Sequence, residues 1–582
     1  MNLKIQIKNN NYTEWFIVDI ETNEKIIPNT IGSDFDPIQS KLFSEDVFFL
    51  NKHHVSILYS PTRSNTVIPG ILLLEGNKTY GRSSNKKHLL YKCIPDNKEL
   101  PHFLIPYELK LGFSKNLINK YIVFQFKEWS REHPIGSITE TIGNVDLLNP
   151  FYEYQLYCKN LHVSNKKMIE NTREYLKQTT YENIISKILE KDDYHIMDRT
   201  DRTVFSIDPL GSTDFDDAFS VERFENGNTK ISIYIANVFV WLETLSLWDS
   251  FSKRVATIYL PDQKRTMLPP LLSDSLCSLQ ENQLRFAFVM DILVDSEGNK
   301  IDEPVFENVL IKVSKNYVYE DTELIHDNKD YIWLWKITQK MEKTSVRDSH
   351  DLVAYYMVLM NTECAYLLEK NGCGIFRSSH ILHPTEYYTI GEKVHDLDSE
   401  TRQVVQNWAN TFGEYQVYSE KSRNHQLMQK KCYTHMTSPI RRLVDLLNQL
   451  IFFREIPLFQ KSSTLSLSEN AKTFLEYWTK EVDSINQTMR SIRKVQIDCE
   501  LMNRCFCDSM IMKTEHPGTI FDKREKKNGM FSYMVYLQKY KLLSRITLSE
   551  NLENYRCHRF RIFLFEDENK ITKKIRLQWI QQ

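Results

Sequence analysis

The tightest constraint on this chain is a run of short, alternating apolar segments broken by turn residues, which fills its first part to about residue 165. Leu3–Ile7, Trp15–Asp19, Asp46–Leu50, Val67–Leu74 and Tyr121–Phe126 read as strands at a density that suits small barrels. The pattern returns at the end, in Gly518–Phe521, Met530–Leu537, Arg545–Leu548 and Arg559–Phe565, and predicts another small barrel. Between these regions Met168, Ile169, Tyr175, Leu176, Ile184, Ile185, Ile188 and Leu189 follow helical spacing and mark a helical connector. From about residue 200 to 510 strands mix with long helical patterns, the longest from about 465 to 511. The expected division is two barrel units over 1–95 and 96–166, a connector over 167–199, a mixed core over 200–512 and a last barrel over 513–582.

Composition narrows the setting. With 582 residues, 41% hydrophobic and 26% charged, the chain has the balance of a globular protein of several domains. Its net charge of −2 gives no global signature of nucleic-acid binding, yet the charge that matters for such binding is local to a groove. The run from Asp522 to Gly529 is one local basic patch and reads as a solvated loop. Ten cysteines without a CxxC spacing fit a reducing compartment and argue against structural zinc. The start lacks the apolar run of a signal peptide, and no window approaches the ~20 apolar residues of a membrane span. A soluble, cytoplasmic protein is expected.

Residues 206–219 carry Asp208, Asp214, Asp216 and Asp217 within a stretch that also holds Pro209 and Gly211. Proline and glycine argue for a bent loop, which can aim the carboxylates inward. Converging carboxylates would force one another to protonate unless a cation joins them. All-oxygen ligands favour magnesium or manganese over zinc. Two such ions, roughly 3.5–4 Å apart in known sites, activate a water and stabilise the leaving oxygen of a phosphodiester. A solvated acidic turn is the plain alternative, while an EF-hand is excluded by the missing Glu at its twelfth position.

A second motif runs from Tyr433 to Leu450. Ser438 followed by Pro439 predicts a helix start, with Ile440, Leu443, Val444 and Leu447 on one apolar face. Arg441 and Arg442 then fall in the first turn, where the helix dipole disfavours cations unless an anion is bound. Phosphate would be served by free backbone N–H groups and a guanidinium fork together. The structural alternative is an ion pair between Arg441 and Asp445 at i,i+4 spacing.

Together these motifs resemble the RNase II (RNB) exoribonuclease family. Ile207–Ala218 is similar to its I-D-P-x-G-x-x-D-x-D-D-A pattern, and Tyr433–Leu446 to its Y-T-H-x-T-S-P-I-R-R-x-x-D-L pattern. Tyr259–Pro261, Met267–Leu279 and Val318–Glu320 look like further family segments. Tyr80–Arg82, Asp96–Phe103 and Trp129–Gly136 look like the cold-shock region of the eukaryotic branch, which includes the exosome's catalytic subunit. Gly518–Phe521 and Tyr536–Tyr540 resemble an S1 domain.

The resemblance implies two cold-shock OB β-barrels, a central α+β RNB catalytic domain and a C-terminal S1 OB β-barrel. It implies processive, magnesium-dependent 3′→5′ hydrolysis of single-stranded RNA to nucleoside 5′-monophosphates, with manganese able to substitute and two ions possible. Carried over by position, Asp208, Asp214, Asp216 and Asp217 hold metal and attacking water, and Arg441 contacts the scissile phosphate. Tyr259 would stack on the terminal base, Tyr319 would pack near the scissile nucleotide, and Arg442 joins the substrate-binding set. A monomer outside the exosome is expected, because the chain starts directly at the first barrel with no room for the exosome relatives' N-terminal endonuclease domain. The competing expectation is an RNB-fold RNA-binding protein with weak or no activity.

Three departures stand out. Asn237 occupies a position where the family carries aspartate, and Ala354–Tyr356 replaces an acidic pair in the helix leading to Asn361. Both changes bear on how upstream nucleotides are held. The stretch from Tyr319 to Asn361 looks short, as if the strand supplying the second aromatic of the base clamp were missing. A weaker grip on the 3′ end, or a substitute aromatic, is expected.

Overall fold

The computed structural model describes residues 2–581 except 27–34, 52–53, 110–116, 131, 191, 342–345, 379–396, 411–412, 420–431, 458–464, 509, 527 and 567–572. In β1 (Asn2–Ile7) the alternation anticipated from sequence buries Leu3, Ile5 and Ile7 and leaves Lys4 and Gln6 at the surface side. With β2 (Trp15–Asp19), β3 (Lys25–Ile26), β4 (Val47–Asn51) and β5 (His54–Tyr59) it forms a sheet ordered β3-β2-β1-β4-β5.

The next five strands are β6 (Ile68–Leu72), β7 (Leu89–Pro95), β8 (Phe103–Tyr107), β9 (Lys120–Glu128) and β10 (Ile135–Asn144). They close into a barrel ordered β10-β8-β7-β6-β9, with β9 pairing β10. Closure brings strands so near one another that a Cβ on Gly136 would lie 2.7 Å from side-chain carbons of Ile105 and Phe124. The boundary expected at 95/96 is therefore wrong. It falls between β7 and β8, neighbours in one barrel, because the Pro95–Asn97 turn signal marks a connection within the barrel. The first unit ends after β5, before Ile68.

A helix at Leu148–Cys158, where strands were expected, packs Tyr152, Tyr154 and Leu156 inward. The connector follows as helices Lys166–Gln178 and Tyr181–Glu190. The central sheet consists of β11 (Ile196–Asp198), β12 (Val204–Asp208), β13 (Asp217–Arg223) and β14 (Thr229–Ala236), completed by two later strands. A two-residue pair, β15 (Ile258–Tyr259) and β16 (Lys264–Arg265), precedes β17 (Leu284–Val294) and β18 (Val305–Val318). β18 pairs β17 along its first half and β12 along its second, so the strands β12-β13-β14-β17-β18 close on themselves. A further pair, β19 (Ile375–Ser378) and β20 (Glu414–Val417), lies among helices.

The helix Leu443–Glu455 is buried on every side through Phe453, as a helix at the centre of a large core must be. The long helix expected over 465–511 is two, Glu469–Lys480 and Val482–Cys507, separated at Glu481. One hydrophobic core runs from Tyr121 of the closed barrel through the connector and central sheet to these helices. The last unit, β21 (Glu515–Glu525), β22 (Phe531–Leu537), β23 (Leu542–Leu548), β24 (Cys557–Glu566) and β25 (Lys573–Ile580), is an antiparallel sheet ordered β23-β22-β21-β24-β25. The basic run read as a loop begins inside β21, where Asp522 pairs Arg545 at 2.5 Å.

Candidate active site

Asp208 ends β12 and Asp217 opens β13, so the antiparallel pairing of these strands brings both ends of the acidic loop together. Gly211 turns that loop with a φ of 82°, a conformation glycine adopts without a Cβ penalty. Ser278 fixes the loop from outside, donating through Oγ to the Thr213 carbonyl (2.8 Å) and accepting from the Phe215 N–H (3.0 Å). The Ala236 N–H donates to the Asp216 carbonyl at 2.8 Å. These anchors sink Asp216 and Asp217 to 2% and 7% exposure.

The arginine motif meets the loop from the opposite side. The Ile440 N–H donates to Asp216 Oδ1 at 3.0 Å, and Arg441 Nε lies 3.1 Å from Asp216 Oδ2. The Thr257 N–H donates to the Arg441 carbonyl and the Leu443 N–H to Val255, each at 2.9 Å. This short zipper carries Tyr259 to the guanidinium, which its hydroxyl meets in a hydrogen bond. The Tyr259 ring itself is 44% exposed.

The helix start expected at Ser438–Pro439 is corrected here. Ser438 begins a turn, closed by the Arg442 N–H on its carbonyl at 2.9 Å, and the helix begins at Leu443. Residues 440 and 441 are drawn to Asp216 and Thr257 instead of continuing a helical ladder. The alternative of an Arg441–Asp445 pair is not what forms: Arg442 pairs Asp445 at 2.8 Å, and fully buried Asp445 also accepts from the Ser438 N–H. Arg442 thus braces the turn that presents Arg441.

Tyr319, just beyond β18, stacks on His350 with ring centroids 3.7 Å apart. Burial, and then the charges of Asp217 and Asp208, hold its hydroxyl protonated well beyond the ordinary phenol range. The structure brings Asp208, Asp214, Asp216, Asp217, Arg441, Tyr259 and Tyr319 into one electrostatic neighbourhood.

Sequence reasoning missed several residues that build it. Lys264 on β16 donates to Asp214 Oδ1 (2.7 Å), Thr213 Oγ1 (2.6 Å) and Asp274 Oδ1 (3.1 Å). Asn361 accepts from the Met436 N–H (2.8 Å) and donates to Tyr433 (3.2 Å) and Thr437 (3.3 Å), latching the arginine motif to the helix Ser349–Lys370. Lys264 lies between the two family-like segments at Tyr259 and Met267, which was the available signal. Nothing local marked Asn361 as a latch.

The departures have structural explanations. Asn237 does not face a strand-binding groove. It caps the helix Val238–Thr244, accepting from the Val240 N–H, and donates to Asn308 at 2.9 Å while 1% exposed. Tyr356 is fully buried and bonded to Thr338 at 2.6 Å. Between Tyr319 and Asn361 the described residues form the helices Thr322–His326, Lys329–Met341 and the start of Ser349–Lys370.

The carboxylates sit where charge is costly. Burial pushes Asp208 up to about 6, against the opposing Ser206 hydrogen bond and Arg441. Burial likewise lifts Asp216 to about 7 despite Arg441 and the Ile440 N–H. Asp217 is raised further, by burial and then by the charges of Asp208 and Asp216. Asp208, Asp216 and Asp217 each keep one buried carboxylate oxygen without a hydrogen-bond partner. Such orphaned acceptors, all oxygen and mutually repulsive, fit a hard divalent cation in donor chemistry. Among the described residues no three His, Cys, Asp or Glu side chains stand at metal-ligand spacing. Among the described residues, Arg441 and Lys264 are cations in contact with the set.

The family model described as "RNB domain" matches residues 197–332 and 335–454, which span this site and the closed central sheet. These residues of the chain carry an RNB domain. Ribonuclease R of Chlamydia pneumoniae is 23% identical over 417 residues, covering 61% of this chain and 61% of that protein. The chain spans about three fifths or less of the length of the first curated relatives it matches. In fold it is similar to Mycoplasma genitalium RNase R in complex with ribose methylated single-stranded RNA. That likeness has a TM-score of 0.65 at 15% identity, over 99% of this chain and 100% of the other. Yeast Ssd1, described as a pseudonuclease, is also similar, with a TM-score of 0.54 at 14% identity over 96% of this chain and 80% of Ssd1.

Proposed function

We propose that this protein is a processive 3′→5′ exoribonuclease that hydrolyses single-stranded RNA to nucleoside 5′-monophosphates with magnesium. The carrying observation is the set of orphaned carboxylate oxygens on Asp208, Asp216 and Asp217, held against Arg441 in an RNB fold. Those three residues, with Asp214 beside them, would hold magnesium, or manganese in its place. The bound cation supplies an activated water and charge stabilisation at the phosphate.

Arg441 Nη2 donates to Ser438 Oγ at 3.1 Å and Nε faces Asp216, which aims the guanidinium, and its side chain is 45% exposed. It is suited to a phosphate oxygen as negative charge develops there. The exposed Tyr259 ring offers a face on which any base can stack, which suits an enzyme indifferent to sequence. Tyr319 closes the side next to Asp217, and Arg442 supports Arg441 from behind. Contacts to the 2′-OH would favour RNA over DNA. No helix among the described residues is long and apolar enough to cross a membrane.

The rival is a silent RNA-binding protein on the same fold, and Ssd1, described as a pseudonuclease, shows that this fold also occurs in a protein not named a nuclease. The presence of all four aspartates together with Arg441 favours hydrolysis. The deciding experiment incubates a 3′-tailed RNA with magnesium beside Asp216→Asn. Mononucleotide release by the parent alone supports hydrolysis, and equal inactivity of both supports the silent protein. A DNA tail of the same sequence should be cut far more slowly; equal rates would remove the 2′-OH argument.

A further inference from the structure

Asp214 differs from the other three aspartates in one respect. Asp208, Asp216 and Asp217 each keep a buried oxygen without a hydrogen-bond partner, and Asp214 keeps none. Its carboxylate is engaged by Lys264 at 2.7 Å. The ammonium is itself surrounded by oxygen, with Thr213 Oγ1 at 2.6 Å and Asp274 Oδ1 at 3.1 Å. Three oxygen partners match the three protons an ammonium has to donate.

The cradle is built from two separate parts of the chain. Asp274 receives the Ser273 hydroxyl at 2.8 Å on the turn Leu272–Leu276. Asp274 also offers its backbone carbonyl to the Gln280 amide at 2.5 Å. Thr213 is fixed through its carbonyl by Ser278. Lys264 leaves β16 with its side chain only 25% exposed. Burial opposes its charge, but hydrogen bonds and charges from Asp214 and Asp274 outweigh burial and hold its proton.

We propose that Lys264 is a built-in cation of the active site, filling the position at Asp214 that a second divalent ion would otherwise take. This rests on the reading of the acidic set as a cation site. Asp208, Asp216 and Asp217 then recruit a single divalent ion, and Asp214 serves as the clasp that orients the ammonium. A compact, strongly hydrated ammonium is a fair substitute for a small metal ion, whereas a neutral side chain of similar length is not. Lys264 is in this sense a positioning and charge-supplying residue of the site.

The test counts ions in the full chain without RNA. Manganese is titrated into the protein and free Mn2+ is followed by electron paramagnetic resonance, for the parent, Lys264→Met, Lys264→Arg and Asp217→Asn. One tight Mn2+ is expected in the parent and in Lys264→Arg, two in Lys264→Met, and none in Asp217→Asn. Circular dichroism melting of each variant confirms that a lost ion is not a lost fold. Two ions in the parent, or one in both the parent and Lys264→Met, would overturn the proposal for Lys264. No ion in the parent would instead overturn the underlying reading of the acidic set, so the two failures are distinguishable.

Discussion

Arg441 and Asp216 meet across the site, with Nε 3.1 Å from Oδ2, while the neighbouring Ile440 N–H holds Oδ1 at 3.0 Å. The Nε contact is an ion pair off the hydrogen-bond direction, since Oδ2 has no aligned donor. One carboxylate therefore sets both the backbone turn and the guanidinium. Arg441→Ala should lower kcat on single-stranded RNA by ~10²–10³-fold, as removal of a positioned charge-stabilising donor does elsewhere. Arg441→Lys should recover only a small part, because an ammonium lacks the planar fork. Single-turnover cleavage of an end-labelled RNA measures both, and full rescue by lysine would refute the fork argument.

Asp217 is the aspartate whose ionisation is most opposed, first by burial and then by Asp208 and Asp216. Asp217→Asn removes that charge at nearly constant volume. The metal-free variant should melt above the parent at pH 7.5, by about 1 °C for each kcal/mol relieved in a chain of this size, while RNA hydrolysis is lost. Calorimetry in chelator checks the first part. A lower melting point would show that the parent does not carry the strain assigned to this carboxylate.

Protonation should also make stability depend on pH. Asp208 and Asp216 are raised to about 6 and about 7 in the fold. Between about pH 4 and 7 the folded chain thus keeps protons that the unfolded chain has released. This contribution is complete below the unfolded carboxylate range and is lost as pH rises through the folded values. Metal-free protein should therefore lose melting temperature from about pH 5.5 to 7.5, and magnesium should restore more of it at the higher pH. A magnesium shift of equal size at both ends would contradict the assignment.

How much of this was legible beforehand follows from how local each feature is. The bent loop was readable because Pro209 and Gly211 act on their own neighbours, and the four aspartates lie within that stretch. The short strands were readable from their alternation, but their partners were not. β6 pairs β9 across β7 and β8, so a turn after Pro95 looked like a domain boundary when it was a connection inside a barrel. The Ser438–Pro439 start failed for a related reason. Its local capping signal is sound, yet Asp216 and Thr257 claim the following backbone. Lys264 was missed as a site residue because its three partners come from two other segments, and its place between family-like segments says nothing of those partners.

Asn361 offers the last test, and it separates positioning from contact. It is 3% exposed, and its amide accepts from the Met436 N–H at 2.8 Å and donates to Tyr433 at 3.2 Å. Leucine at this position has a similar volume and can do neither. The stranded Met436 N–H alone should cost about 1–3 kcal/mol. Because Met436 lies in the segment that leads into the Ser438 turn, the loss should also displace Arg441. Asn361→Leu is therefore expected to lower both urea stability and kcat, with little change in affinity for RNA measured in chelator. Tyr433→Phe removes the 3.2 Å partner of Asn361 but leaves the Met436 N–H paired, and should lose much less of either. If Asn361→Leu weakened RNA binding as much as turnover, Asn361 would be a strand contact and not a latch.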